Sequence, residues 1–89
     1  MQQQEVTIIN QLGLHARASA KLVATASLFE STIRISKETK TADAKNIMSV
    51  MMLGASIGTS IIIETEGHDE AQAIQAVVEL INDRFGEQQ

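Results

Sequence analysis

Within Gln11-Leu12-Gly13-Leu14-His15-Ala16-Arg17-Ala18-Ser19-Ala20, two side chains carry chemistry suited to phosphate: the imidazole of His15 and the guanidinium of Arg17. Gly13 interrupts the apolar run before it, and a helical pattern begins at Ala16. His15 therefore falls at or beside the N-cap of a helix, with Arg17 inside its first turn. A helix start presents unpaired backbone N–H groups and the positive end of the macrodipole, which together attract anions. A neutral imidazole is a nucleophile, and a phosphoryl group attached to it would be held by those amides and by Arg17. Taken alone, a histidine before a helix is more often a solvated or capping residue. Three features favour chemistry: the helix start, the nearby Arg17, and no acidic residue from Gln11 up to Glu30 to pair with either. The first helical turn also lacks a Glu, through chance or because an external anion complements the dipole.

The elements that must position these residues follow from apolar spacing. Gln4–Ile9 alternates as a strand, with Val6 and Ile8 on one side. A helix runs from Ala16 to about Ser27, and Ala16, Ala20, Val23, Ala24 and Ser27 form a narrow small-residue stripe toward a sheet. Thr32–Lys37 is a second strand, and Glu38-Thr39 turns it into a third, Lys40–Asp43, without the Asn-Gly or Asp-Gly signature of tight hairpins. Asn46 caps a short helix, Ile47–Leu53, which Gly54 closes. Ser60–Glu66 is a fourth strand. The last helix begins at Asp69, with Gln72 in capping-box position, buries Ala71, Ile74, Val77, Val78, Ile81 and Phe85, and ends at Gly86. Glu87-Gln88-Gln89 should fray. The order β-α-β-β-α-β-α predicts one α+β domain over residues 1–89, a two-layer sandwich with helices covering an antiparallel or mixed sheet.

Composition narrows the function. A net charge of −4 argues against nucleic acid, which calls for a basic patch, and the only aromatics, Phe29 and Phe85, offer no stacking platform. No run approaches the length of a membrane span, and no signal core is present. The absence of cysteine fits a reducing cytoplasm. His15, Arg17, Lys21 and Lys45 make a positive corner on an otherwise acidic chain, able to steer an anionic partner. No metal site is expected, because His68 is the only other histidine and lacks ligand spacing around it. There is no phosphate-cradling glycine loop and no nucleophile with a base, so neither a self-contained kinase nor a hydrolase is expected. A carrier needs less: one acceptor atom, stabilising donors and a surface that a donor and an acceptor can each cover. Ile47, Met48, Val50, Met51, Met52 and Leu53 are too many to bury on one stripe of so short a helix: either all pack down, or some of them, Met48 with Met51 or Met52, stay exposed as an adaptable contact patch.

Gly13-Leu14-His15-Ala16-Arg17, the run Ala44-Lys45-Asn46-Ile47-Met48, and Met51-Met52-Leu53-Gly54 resemble the histidine phosphocarrier family HPr of the bacterial phosphoenolpyruvate-dependent phosphotransferase system, including its nitrogen-related branch. The resemblance implies an open-faced β-sandwich, a four-stranded antiparallel sheet with three helices on one face. It implies a carrier rather than an enzyme, with no cofactor. His15 would accept a phosphoryl group on Nδ1 from enzyme I and pass it to an enzyme IIA domain. Arg17 and the amides of Ala16 and Arg17 would hold the group, and Ala20, Lys21, Ala24, Ile47, Met48, Met51 and Met52 would form the docking surface. An alternative is a regulatory adaptor whose phosphorylation state selects its partners. Many relatives have proline where this chain has Ala18, a change the helix tolerates. Many also carry a phosphorylatable serine where Asn46 stands here, so that modification is not carried over.

Overall fold

The computed structural model describes residues 1–89. The chain runs β1 (Gln2–Thr7), α1 (Ala16–Ala26), β2 (Thr32–Lys37), β3 (Lys40–Asp43), α2 (Ile47–Met52), β4 (Ser60–Glu66) and α3 (Glu70–Asn82), then a single 3₁₀ turn, Arg84–Gly86. The four strands form one sheet in the order β1-β4-β2-β3, every neighbouring pair antiparallel. The alternation that marks the strands sends Ile33, Ile35, Ile61 and Ile63 inward, all fully buried. Ile35 faces Ile63 on one side and the small Ala42 on the other. β-Branched side chains suit this pleated surface, and each buried isoleucine stabilises the fold by about 1.5–3 kcal/mol. The three helices cover that face and leave the other open: α3 lies over β1, β4 and β2, α1 packs on α2 and α3, and α2 reaches β3. No helix is long and apolar enough to cross a membrane.

The Glu38-Thr39 hairpin forms even without its signature residues, with Lys37 opposite Lys40 and Glu38 held at φ 55°. β1 begins and ends two residues before the expected Gln4–Ile9.

The buried face of α1 differs from the expected small-residue stripe. Ala18, Ser19, Leu22 and Ala26 are buried, Val23 only partly, while Ala16, Ala20, Ala24 and Ser27 face outward. Leu22 decides this orientation, because burying one leucine outweighs any choice among alanines, and Ala18 and Ala26 follow at i−4 and i+4. In α3 the buried set includes Ala73, and Ala71 is exposed.

Asp69 stands at the N-cap of α3, but its side chain makes no capping bond. It instead accepts the Glu30 and Ser31 amides, each at 3.0 Å, and the Ser31 hydroxyl, tying the α1–β2 connection to the start of α3. The approach is close: a Cβ added to Gly67 (φ +149°) would lie 2.8 Å from the Cα of Ser31. The Ser31 hydroxyl, then the Glu30 and Ser31 amides and nearby His68, lower the Asp69 carboxyl to about 2. A carboxyl whose pKa is lower folded than unfolded contributes stability above its unfolded value and loses it as pH falls through the folded one. The Asp69 contribution is therefore full above about pH 4 and lost between about 4 and 2. Asp69→Asn is expected to lower the thermal midpoint at neutral pH and to flatten its fall across that window. Melting curves that stay parallel to wild type down to pH 2 would refute this.

Candidate functional site

The site is built on the loop that leads from β1 into α1. Asn10 is fully buried, and its Nδ2 donates to the Gly13 carbonyl at 2.8 Å while the Gly13 amide donates back to the Asn10 carbonyl at 3.2 Å. Gly13 sits at φ +65°, and the following Leu14 amide donates to the Ala55 carbonyl at 2.9 Å. A Cβ on Gly13 would lie 2.5 Å from that same carbonyl oxygen. The position thus requires glycine both for its left-handed backbone and for the close approach. Gly13→Ala is expected to destabilise the fold by about 2–4 kcal/mol, from left-handed strain plus overpacking. Chemical denaturation measures this, and a loss below about 1 kcal/mol would show that the loop can yield.

His15 is the N-cap residue of α1, with extended backbone (φ −72°, ψ 177°) and no side-chain capping bond. Its carbonyl accepts the Ser19 amide at 2.9 Å, the first intrahelical bond. The amides of Ala16, Arg17 and Ala18 precede that bond and have no helical partner. The His15 ring is partly exposed at 27%, with Nε2 placed 2.5 Å from Oε2 of Glu87. Nδ1 makes no hydrogen bond within the protein. Arg17 is exposed and lies in no ion pair. His15 and Arg17 share an open cleft of about 400 Å³ with Gln11, Leu12, Glu87 and the last two glutamines. The sequence-based pairing of His15 and Arg17 at a helix start is therefore realised in space.

Glu87 is the residue that sequence reasoning missed, since the tail was expected to fray. α3 ends at Asn82, earlier than the expected Gly86, and Arg84, Phe85 and Gly86 then adopt three successive left-handed conformations (φ 56°, 55° and 78°). Phe85 is 1% exposed and plugs the core, and the Lys21 ammonium donates to its carbonyl at 2.6 Å. This strap carries Glu87 back over the start of α1, where Oε1 accepts the Asn10 Nδ2 at 3.2 Å. The His15 hydrogen bond holds the Glu87 carboxyl below the usual range; partial burial opposes it, and Asn10 and Lys21 reinforce it. A carboxylate thus stands at the start of α1, bonded to the His15 ring rather than to the free amides of the first turn. The one sequence signal was the lack of an acidic residue in that turn, and it could not say which of the eleven acidic residues would come to the site.

The positive corner is also smaller than expected. Lys21 and Lys45 are engaged on the carbonyls of Phe85 and Phe29, leaving Arg17 as the cation without a partner at the site. Among the residues expected to dock partners, Ala20, Lys21 and Ala24 are exposed on α1. On α2, Ile47, Met48, Met51 and Met52 are 38%, 62%, 37% and 72% exposed, while Val50 and Leu53 turn inward. Leu12, which lines the His15 cleft, and Ile57 are also exposed apolar side chains. Asn46 caps α2 through Oδ1, which accepts the Ser49 amide at 3.1 Å, and the Lys37 ammonium donates to the Leu53 and Gly54 carbonyls at the other end. His68 is exposed and lies 3.5 Å from a Glu30 oxygen.

A family model described as the PTS HPr component phosphorylation site matches residues 2–83. The chain is similar to the phosphocarrier protein HPr of Cupriavidus necator, with 53% identity over 87 residues that cover 98% of each chain. It is 51% identical to that of Neisseria meningitidis over the same share of both chains. The crystal structure of HPr-C-His from Thermoanaerobacter tengcongensis superposes with a TM-score of 0.96 at 45% identity, covering 100% of both chains. Sequence identity and backbone agree along the whole length, and the chain belongs to the HPr family of phosphocarrier proteins of the phosphotransferase system.

Proposed function

We propose that this chain, acting in the cytoplasm as one domain over residues 1–89, accepts a phosphoryl group on Nδ1 of His15 from phospho-enzyme I and delivers it to enzyme IIA domains. Phosphoenolpyruvate would be the original source. The observation that carries this reading is a nucleophilic ring nitrogen without a hydrogen-bond partner at a helix start, beside an unpaired guanidinium. The Nδ1 lone pair attacks phosphorus in line, the bond from phosphorus to the donor breaks, and the donor keeps that electron pair. The Ala16 and Arg17 amides and the Arg17 guanidinium take up the phosphoryl oxygens. The rate comes mainly from positioning inside the complex with the partner. The protein is a relay intermediate rather than an enzyme with a substrate of its own.

Ala20, Lys21 and Ala24 of α1, with Ile47, Met48, Met51 and Met52 of α2, serve as the docking surface. Flexible thioethers suit a face that must fit more than one partner. Asn46 has no hydroxyl to phosphorylate, so the start of α2 is a cap and not a second modification site. Incubation with enzyme I, magnesium and phosphoenolpyruvate is expected to add one phosphoryl group, mapped to His15 and discharged on adding enzyme IIA. An unmodified mass, or a label on another residue, would overturn the reading.

A further inference from the structure

A neutral imidazole carries its one proton on either ring nitrogen, and only the form protonated on Nε2 leaves the Nδ1 lone pair available. In this structure Nε2 faces a carboxylate, an acceptor with no proton to give when ionised. The second oxygen of that carboxylate is fixed by the amide of buried Asn10, and the segment carrying it is pinned by Phe85 in the core and by Lys21. Both the direction of the hydrogen bond and the seat of its acceptor are therefore set by residues other than His15 itself.

We propose that Glu87 is a positioning residue for phosphoryl transfer: it holds the proton on Nε2 so that Nδ1 is the nucleophile, and it steadies the ring once phosphorylated. This rests on the carrier reading above. When the Nδ1–phosphorus bond forms and the bond to the donor breaks, the Nε2 proton stays in place and the ring acquires a positive charge. The bond from Nε2 to Glu87 then joins opposite charges and strengthens. No proton has to leave or arrive during the transfer.

The test uses Glu87→Ala and Glu87→Gln in the full chain, with tautomers read from the ring nitrogen NMR shifts of His15 and rates read separately. The wild-type neutral ring is expected in the Nε2-protonated form and Glu87→Ala as a mixture; Glu87→Gln, whose single amide oxygen is shared between the donors Nε2 and Asn10 Nδ2, is expected between the two. Acceptance from phospho-enzyme I should fall about tenfold in Glu87→Ala and stay within about threefold in Glu87→Gln. The proposal is overturned if Glu87→Ala keeps a single Nε2-protonated form, if it loses that form yet accepts phosphoryl at the wild-type rate, or if Glu87→Gln keeps the form but slows as much as Glu87→Ala. A wild-type chain that takes no phosphoryl group would instead sink the carrier reading. The tautomer measurement needs no donor and judges Glu87 separately.

Discussion

His15→Ala is expected to abolish phosphoryl acceptance while the protein remains folded. The imidazole is the acceptor itself, so no neighbouring group can take over its lone pair, and labelling by phospho-enzyme I should drop to background. The fold is expected to tolerate the change because the ring makes no capping bond, is partly exposed, and makes a single side-chain hydrogen bond, to Glu87. The carbonyl that opens α1 belongs to the backbone and survives substitution. A stability loss of under about 1 kcal/mol is expected. Labelling is measured by intact mass beside a denaturation curve of the same preparation. Residual labelling at the wild-type level in a folded variant would move the acceptor elsewhere.

Arg17→Ala is expected to slow acceptance by about a hundredfold without unfolding the chain, the scale seen when one preorganised donor to a developing charge is removed. Arg17 is exposed, lines the cleft with His15 and has no carboxylate partner, so its guanidinium is available to an incoming phosphoryl group. The loss stays short of complete because the amides at the start of α1 remain. Arg17→Lys should recover only part of the rate, since the charge is kept but the two-pronged geometry is lost. Stability should stay within about 0.5 kcal/mol of wild type, as expected for an exposed side chain without partners. Initial rates with phospho-enzyme I provide the measurement. A fall of less than about threefold would mean that the helix amides hold the group unaided.

These two residues lie close together in the chain, which is why they could be read without a structure. A helix start is written in local sequence, where Gly13 breaks one pattern and the next begins at Ala16. Strand alternation is equally local, so Ile33, Ile35, Ile61 and Ile63 announce their inward face. The face of α1 was less legible. Its many alanines differ little in what burial contributes, and the single large side chain, Leu22, set the rotation against the rest of the core.

The amino-acid order alone determined the element sequence, the sheet's inward face, and the placing of an imidazole and a guanidinium at one helix mouth, because each follows from spacing over a few residues. Tertiary structure alone decided where two carboxylates go. Asp69 left its own helix to bind the Glu30–Ser31 backbone, and Glu87 crossed from the chain's end to the Nε2 of His15. Neither contact has a local signature. Glu87 reaches the site because Phe85 is buried and three successive left-handed residues turn the strap, and those are properties of the packed core.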